Sequence, residues 1–538
     1  MSWIAKIFGS SRASADGALP KVDALIRGTP GLHRLFPDQP ERLMQLGALL
    51  LDRGDRAGGN LVLHRALELG AVEWMVALIQ AKRALIDGQA QHALSLLEPY
   101  LQRDDLNVSA EAYLIAGTCA WESQQPEAAI GHYEAGARLA PRNVELLGSL
   151  SGACGVTGKY EKSYQVAKRA LQLDCRHAST LQNLGIASRE LLKLDEHRQA
   201  YVDLCDFYPD NERFRCLHSY ALLLEENFAE GWPLHENRDF RYREQGFRES
   251  TLQSPRWKGE PLEGKTLLLV CEQGAGDNFM VARWFPEIKR RGARLVIECV
   301  APLMGILGRV PGVDQVIELQ NSREPDLRYD YWVGSMSLPW IFKVTRENIY
   351  APARYLEPSA PSSGYWEERA REFTELKIGL AWAGNPRHAN DIARSMTFAQ
   401  VEPLLDIPGT RFFNLQVPAR DLVPRSNLMN YSDELLTFDD TAGLIDQMDL
   451  VISVDTSIAH LACALGKPTW IVSSMRPEWR WGRVDLPVIW YPTAKLYCCE
   501  RPLDWASAIA KVSRDIRGRI AGVPVAGTGV VGGGLAHA

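Results

Sequence analysis

Small residues recur along the first half of the chain at a nearly constant interval. Gly47, Ala81, Gly117, Ser151, Gly185 and Ser219 stand 34, 36, 34, 34 and 34 residues apart. Twelve residues after four of them come Ala93, Ala129, Ser163 and His197, with Tyr133 and Tyr201 at the aromatic position that follows. Pro141 and Pro209 fall 24 residues after Gly117 and Gly185. Such a period marks stacked copies of one helix pair, in which small residues let the two helices approach and proline ends the unit. Apolar side chains return at helical spacing inside a unit, as in the run from Ala112 to Trp121. One pair cannot bury its own stripe, so neighbours must stack, and a superhelix with a concave face is expected.

The spacing matches the tetratricopeptide (TPR) pattern, which places helical repeats over residues 36–245 behind an N-terminal segment, 1–35. Arrays of this type hold peptides or other proteins, so the repeats are expected to recruit a protein. An all-helical spacer is the plainer reading of the same pattern.

Past Pro255-Arg256-Trp257 the period changes, and eleven of the fifteen tryptophans lie beyond residue 250. Short apolar runs now alternate with amphipathic stretches: Thr266–Cys271, Leu295–Val300, Lys377–Ala381, Arg411–Leu415, Leu450–Val454 and Thr469–Ser473. Continuous Val/Ile/Leu strands alternating with helices imply parallel sheets covered on both faces. The Pro/Ser-rich stretch Pro358–Gly364 reads as a linker between two such domains, 255–358 and 365–515, and the Gly-rich stretch 518–538 reads as a flexible tail. Two open sheets predict a ligand cleft at the carboxyl ends of their strands.

Net charge bears on the partner. Lys plus Arg number 60 against 66 Asp plus Glu, a net −6, and the isoelectric point is about 6.1. That balance makes general nucleic-acid binding a poor expectation. No run of about 18 apolar residues marks a membrane span. The apolar stretch at the amino end is too short for a secretory signal. Ten cysteines without Cys-x-x-Cys spacing favour reduced thiols, a cytoplasmic protein and no zinc framework.

Two loops carry the chemistry. The first strand runs into Cys271-Glu-Gln-Gly-Ala-Gly-Asp-Asn278, half of a dinucleotide fingerprint with Phe279 where the third glycine belongs, which disfavours NAD. What remains is a tight turn, Gln273, Gly274 and Gly276, that brings Asp277 to the cleft mouth, either as a helix cap or as a base. The second loop, Asp455-Thr456-Ser457, ends a buried strand and opens a helix. Backbone N–H groups, hydroxyls and helix dipole make that turn an anion site. His460 lies near enough to face the same anion, or else packs in the core. Asn385, Arg387 and His388, with Arg394 and Ser395, add donors and charge after another strand, and Gln416 ends the next. Asp440-Thr441 is expected to cap the helix ahead of the Leu450 strand. No Asp-x-Asp occurs, the usual carboxylate pair for a metal on a nucleotide diphosphate.

These segments resemble bacterial tetratricopeptide-repeat glycosyltransferases with a GT-B catalytic half similar to lipopolysaccharide heptosyltransferases. The resemblance spans roughly residues 40–515 and rests on Gly231–Arg238, Glu272–Asp277, Trp382–His388, Asp455–His460 with Leu465–Pro468, and Trp490–Pro492. It implies a helical array followed by a pair of Rossmann-type domains, with an acceptor-side domain before a nucleotide-sugar domain. It further implies Asp277 as catalytic base and donor phosphates at Thr456, Ser457 and His460. Some members modify flagellin, whereas related heptosyltransferases act on lipid-linked saccharides. The stretch His388–Ser395 is less basic than the family pattern.

The expectation is therefore a cytoplasmic, metal-independent glycosyltransferase without a cofactor. It would move a sugar from a nucleotide donor to a Ser/Thr hydroxyl of a protein recruited by the repeats, with flagellin one such acceptor. A non-catalytic adaptor with a retained scaffold and a transferase acting on a lipid-linked saccharide are the alternatives.

Overall fold

The computed structural model describes residues 39–103, 108–239, 252, 254–319, 327–386, 391–419, 421–482 and 486–522. The expected segment 1–35 and the chain from residue 523 lie outside the described residues. The chain forms two compact units, one up to Leu184 and one from Gly185 onward.

Among the described residues, twelve helices run from α1 (Pro40–Asp52) to α12 (Phe228–His235). The small residues act as the spacing requires. A Cβ on Gly117 would come within 2.5 Å of Tyr133 Cε1, so α5 (Ala110–Glu122) and α6 (Pro126–Leu139) can close only over glycine. Helix starts repeat as well: Ser109, Asn143 and Asn211 each accept a bond from the N–H three residues on, at 3.3, 3.1 and 3.3 Å. Such caps satisfy donors that the first turn leaves open.

The unit from Gly185 onward carries the last helices together with two parallel sheets. The first has the order β3-β2-β1-β4, built from β1 (Thr266–Val270), β2 (Arg294–Cys299), β3 (Val313–Glu318) and β4 (Tyr331–Gly334). The second runs β10-β9-β8-β5-β6-β7, from β5 (Leu376–Ala381), β6 (Thr410–Asn414), β7 (Leu428–Asn430), β8 (Leu450–Ser453), β9 (Thr469–Ser473) and β10 (Ala494–Cys498). Central strands such as β8 are wholly buried, as a sheet covered on both faces demands. Strand order reverses between β1 and β4 in one sheet and between β8 and β5 in the other. Ligand crevices of open α/β sheets form at such reversals.

The helices that position the site are α13 (Ala275–Val281), α14 (Ala360–Ala370), α15 (Phe438–Asp446), α16 (Ser457–Ala464) and α17 (Trp505–Ile520). Three local expectations are corrected. The stretch 358–364 is not a linker: Ser359 caps α14 and Pro361 sits in its first turn, where proline's missing N–H costs nothing. The helix before β8 is capped by Thr437, not by Asp440-Thr441; Asp440 Oδ2 reaches back to the Thr437 N–H at 2.8 Å as the other half of a capping box. Helix α17 runs through Gly518 to Ile520, past the expected start of the tail.

The last repeat helix is built into the α/β core. Trp232 stacks on Phe228 at 5.6 Å, meets Trp479 and Trp490 edge-on at 5.5 and 6.2 Å, and donates Nε1–H to the Val344 carbonyl at 2.9 Å. No helix among the described residues is long and apolar enough to cross a membrane.

Candidate active site

Both candidate loops, after β1 and after β8, lie at strand-order reversals. After β1 the chain passes Gln273 at φ 59, a left-handed backbone that a side chain rarely adopts, and Gly274 caps α13. Asp277 is buried in the first turn and does two jobs. Its Oδ2 accepts the Gly274 N–H at 2.9 Å, and its Oδ1 accepts Arg480 Nε–H at 2.6 Å. Asn278 fastens the loop through the Glu272 and Gly274 carbonyls at 3.0 and 2.9 Å and takes the Ser335 hydroxyl, just past β4, at 2.8 Å.

A residue of the repeat segment supports this loop from below. Arg238 makes a bidentate pair with Glu272, Nε to Oε2 at 2.9 Å and Nη2 to Oε1 at 2.6 Å, and reaches Ser337 Oγ at 2.7 Å. The Met336 N–H adds a third bond to Glu272 at 2.8 Å. Burial pushes the Glu272 carboxyl up, against the pull of the Arg238 guanidinium.

On the second sheet, β8 is followed by Val454 and Asp455, and Thr456 occupies the N-cap of α16 in extended conformation. No side chain among the described residues caps that helix, and the Thr456 hydroxyl bonds Ser453 Oγ at 3.0 Å instead. The first-turn N–H groups of Ser457 and its neighbours thus keep no side-chain cap, with the helix dipole behind them, an arrangement of the kind that can take an anion. Gln416 does not face the cleft freely: it is buried, and its Oε1 accepts the Ala383 N–H at 2.9 Å, shaping the loop after β5. The Gly384 N–H bonds Ser395 Oγ at 2.9 Å, and Arg394 Nη1 reaches the Asp455 carbonyl at 3.4 Å. Asn385 is exposed on that loop and accepts Arg394 Nη2 through its carbonyl at 3.5 Å. Arg387 and His388 lie outside the described residues.

His460 is buried, three residues into α16. Its Nδ1 bonds the Tyr491 hydroxyl at 2.8 Å, and its ring stacks on Trp481 with centroids 4.3 Å apart. Burial first, then Arg480 and Arg283, hold its imidazole well below the usual range, so the ring is neutral at pH 7. A Cβ on Gly276 would come within 2.5 Å of His460 Cδ2. Gly276→Ala is therefore expected to destabilise the chain by about 1–3 kcal/mol through overpacking, read as a lower denaturant midpoint. An unchanged midpoint would mean that the two loops do not meet there.

Sequence reasoning missed Arg480 and Trp481. Arg480 binds Asp277, and the next residue, Trp481, donates Nε1–H to Asp455 Oδ1 at 2.7 Å. These two adjacent residues tie the Asp277 loop to the start of α16. Arg283, the other cation by His460, lies between the Tyr355 and Tyr491 rings at 5.0 and 4.9 Å. Neither arginine had a motif to mark it; a tryptophan-rich, irregular run was the one signal around Arg480. A further stretch, Gly259-Glu-Pro-Leu-Glu-Gly-Lys-Thr266, has the letter spacing of a phosphate-binding loop, yet it runs into β1 instead of opening a helix. Lys265 there bonds Asp330 Oδ1 at 3.2 Å. Among the described residues, no three His, Cys, Asp or Glu side chains gather as a metal-holding group.

The family model of glycosyltransferase family 9 (heptosyltransferase) matches residues 435–472, from just before α15 through β8 and α16 into β9. Protein FlbA of Caulobacter vibrioides is 24% identical over 481 residues, covering 74% of this chain and 77% of its own length. Among solved structures, the chain is similar to the ADP-heptose lps heptosyltransferase II of E. coli, with 13% identity and a TM-score of 0.34 over 47% of this chain and 99% of that one. It is also similar to YrrB, a TPR protein with an unusual peptide-binding site, with 13% identity and a TM-score of 0.29 over 36% and 94%.

Proposed function

We propose that this chain, a tetratricopeptide-type helical array joined to a family-9-type glycosyltransferase half, transfers a sugar from a nucleotide-sugar donor to a Ser/Thr hydroxyl of a protein. Asp277 takes the acceptor proton as the hydroxyl oxygen attacks the anomeric carbon. The carbon–phosphate oxygen bond breaks, and the nucleoside diphosphate leaves with the electron pair. Backbone N–H groups of Ser457 and its neighbours, with nearby arginines, meet the charge that develops on the leaving diphosphate. The transfer needs no resident metal or other cofactor in this reading. The repeats present the protein acceptor, and flagellin is the first acceptor to try.

One observation carries this reading: Arg480 and Trp481 link the carboxylate of one strand-order reversal to the uncapped helix start of the other, at 2.6 and 2.7 Å. A base and an anion site must face one reacting bond for the chemistry above. The matched family is described as heptosyltransferase, and with the resemblance to lipopolysaccharide heptosyltransferases this supports a second reading, a lipid-linked saccharide as acceptor.

A thermal-shift panel of UDP-, GDP-, ADP- and CMP-sugars on the full chain tests the donor. One nucleotide class at a hundred times its Kd is expected to add about 2.7 kcal/mol of stability, seen as a higher Tm. A flat response across the panel would overturn the donor assignment. Supplying that donor labelled, with flagellin or a lipid-linked saccharide, then separates the two acceptors.

A further inference from the structure

We propose that Arg480 is shared in turn between Asp277 and the donor's diphosphate, so that donor binding itself releases the carboxylate for the acceptor. This rests on the donor reading above. Arg480 is largely buried, and side chains hold most of its guanidinium. Nε and Nη2 both lie 2.6 Å from Asp277 Oδ1, Nη1 donates to Glu478 Oε2 at 2.8 Å, and Nη2 donates to Gln273 Oε1 at 3.2 Å. Its flat face lies over Trp479 at 4.3 Å. With the Gly274 N–H on Oδ2, both oxygens of Asp277 are engaged, which leaves the carboxylate poorly placed to receive a proton.

The same arginine stands beside the anion site. Trp481, its chain neighbour, is bonded to Asp455 and stacked on His460, one turn from the uncapped start of α16. Two carboxylates, Asp277 and Glu478, share this one guanidinium, and His460 brings no charge. An arriving diphosphate adds negative charge, and a guanidinium fork suits phosphate oxygens as well as it suits a carboxylate. Arg480 then turns from Asp277 Oδ1 to phosphate, while the Gly274 N–H keeps Oδ2 in place. Oδ1 becomes the acceptor of the hydroxyl proton, and the positive charge it gives up moves to the leaving group. Donor would thus bind before acceptor chemistry can begin.

Calorimetric titration of the full chain with ADP, UDP, GDP and CDP tests the exchange without relying on turnover. For whichever nucleotide binds the wild type, Asp277→Asn is expected to tighten binding at least about threefold, because Arg480 no longer has a competing carboxylate. Arg480→Gln is expected to weaken it at least about tenfold. The double variant should bind like Arg480→Gln alone, the coupling that a double-mutant cycle isolates. If Arg480→Gln fails to fold, Arg480→Lys replaces it, with weaker binding again expected because a point charge loses the fork.

Equal or weaker binding by a folded Asp277→Asn chain would overturn the exchange. So would tightening that persists in the double variant, since it would then come from removal of negative charge alone. Sugar transfer by Asp277→Asn separates the two ideas. An inactive variant with unchanged nucleotide affinity keeps the base and sinks the exchange, whereas an active one sinks the base. Failure of all four nucleotides to bind the wild type sinks the donor reading and the exchange together.

Discussion

Asp277→Asn is expected to lower sugar transfer at least about a hundredfold, since a positioned general base contributes roughly 10²–10⁴ to rate. The side chain sits in the first turn of α13, where the tight glycine turn after β1 delivers it. Asparagine keeps its size and one acceptor oxygen. That oxygen can serve the Gly274 N–H or Arg480 but not both, so a stability loss on the order of 1–3 kcal/mol is expected alongside. The two effects separate experimentally: Tm and transfer rate are measured on one preparation, at a temperature where the variant is fully folded. A purely structural Asp277 would leave the folded variant with substantial activity. That result would return the residue to the role of helix cap.

The second large effect is on stability. Arg238 and Glu272 are each 1% exposed and pair at 2.6 Å. Removing one partner of a buried pair strands the other charge, at a cost of roughly 3–5 kcal/mol. Arg238→Ala should be severe, because Glu272 would be left near a second carboxylate, Glu236, which also depends on Arg238 at 2.7 Å. The expected result is a large fall in the denaturant midpoint of the α/β half. Replacing both residues by methionine should recover much of it, as apolar substitutes for a buried pair commonly do. A fall of less than about 1 kcal/mol in Arg238→Ala would mean that water, not protein, satisfies Glu272.

Much of this architecture was legible because it repeats or because it is buried. The 34-residue spacing reflects contacts such as Gly117 against Tyr133, which recur whenever a helix pair is copied. The six strands read from the sequence all stand among the ten observed; five differ by a single residue at one or both ends and Thr469–Ser473 matches as read. The four missed strands are short or lie at a sheet edge. Val313–Glu318 is an edge strand with no buried residue, Leu428–Asn430 has three residues, Tyr331–Gly334 has four, and Ala494–Cys498 closes the second sheet. An edge strand needs no continuous apolar run, so composition alone does not mark it. The stretch 358–364 misled for a related reason: serine and proline mark both linkers and helix starts, and a serine cap ahead of proline belongs to the second case.

In the candidate site, strand–loop–helix junctions betrayed Asp277 and Asp455–Ser457, because buried strands leave a sharp trace in sequence. Their partners left none. Arg480 meets Asp277 from 203 residues away, on a stretch without regular structure, and Arg238 meets Glu272 across 34. Such pairings follow from tertiary packing and have no local period. In the sequence Tyr491 stands out only as part of Trp490-Tyr-Pro492; that its hydroxyl meets His460 Nδ1 follows from the fold.

The burial of Trp232 between Phe228, Trp479 and Trp490 limits how this chain can be recombined. A cut near residue 250, at the change of sequence period, would leave the α/β half with bare indole faces and Glu272 without its arginine. Shuffling by evolution or by engineering would have to carry α12 and the turn through Arg238 with the catalytic half. A seam for exchanging repeats has to lie farther upstream, because the last repeat helix shares its core with the α/β half.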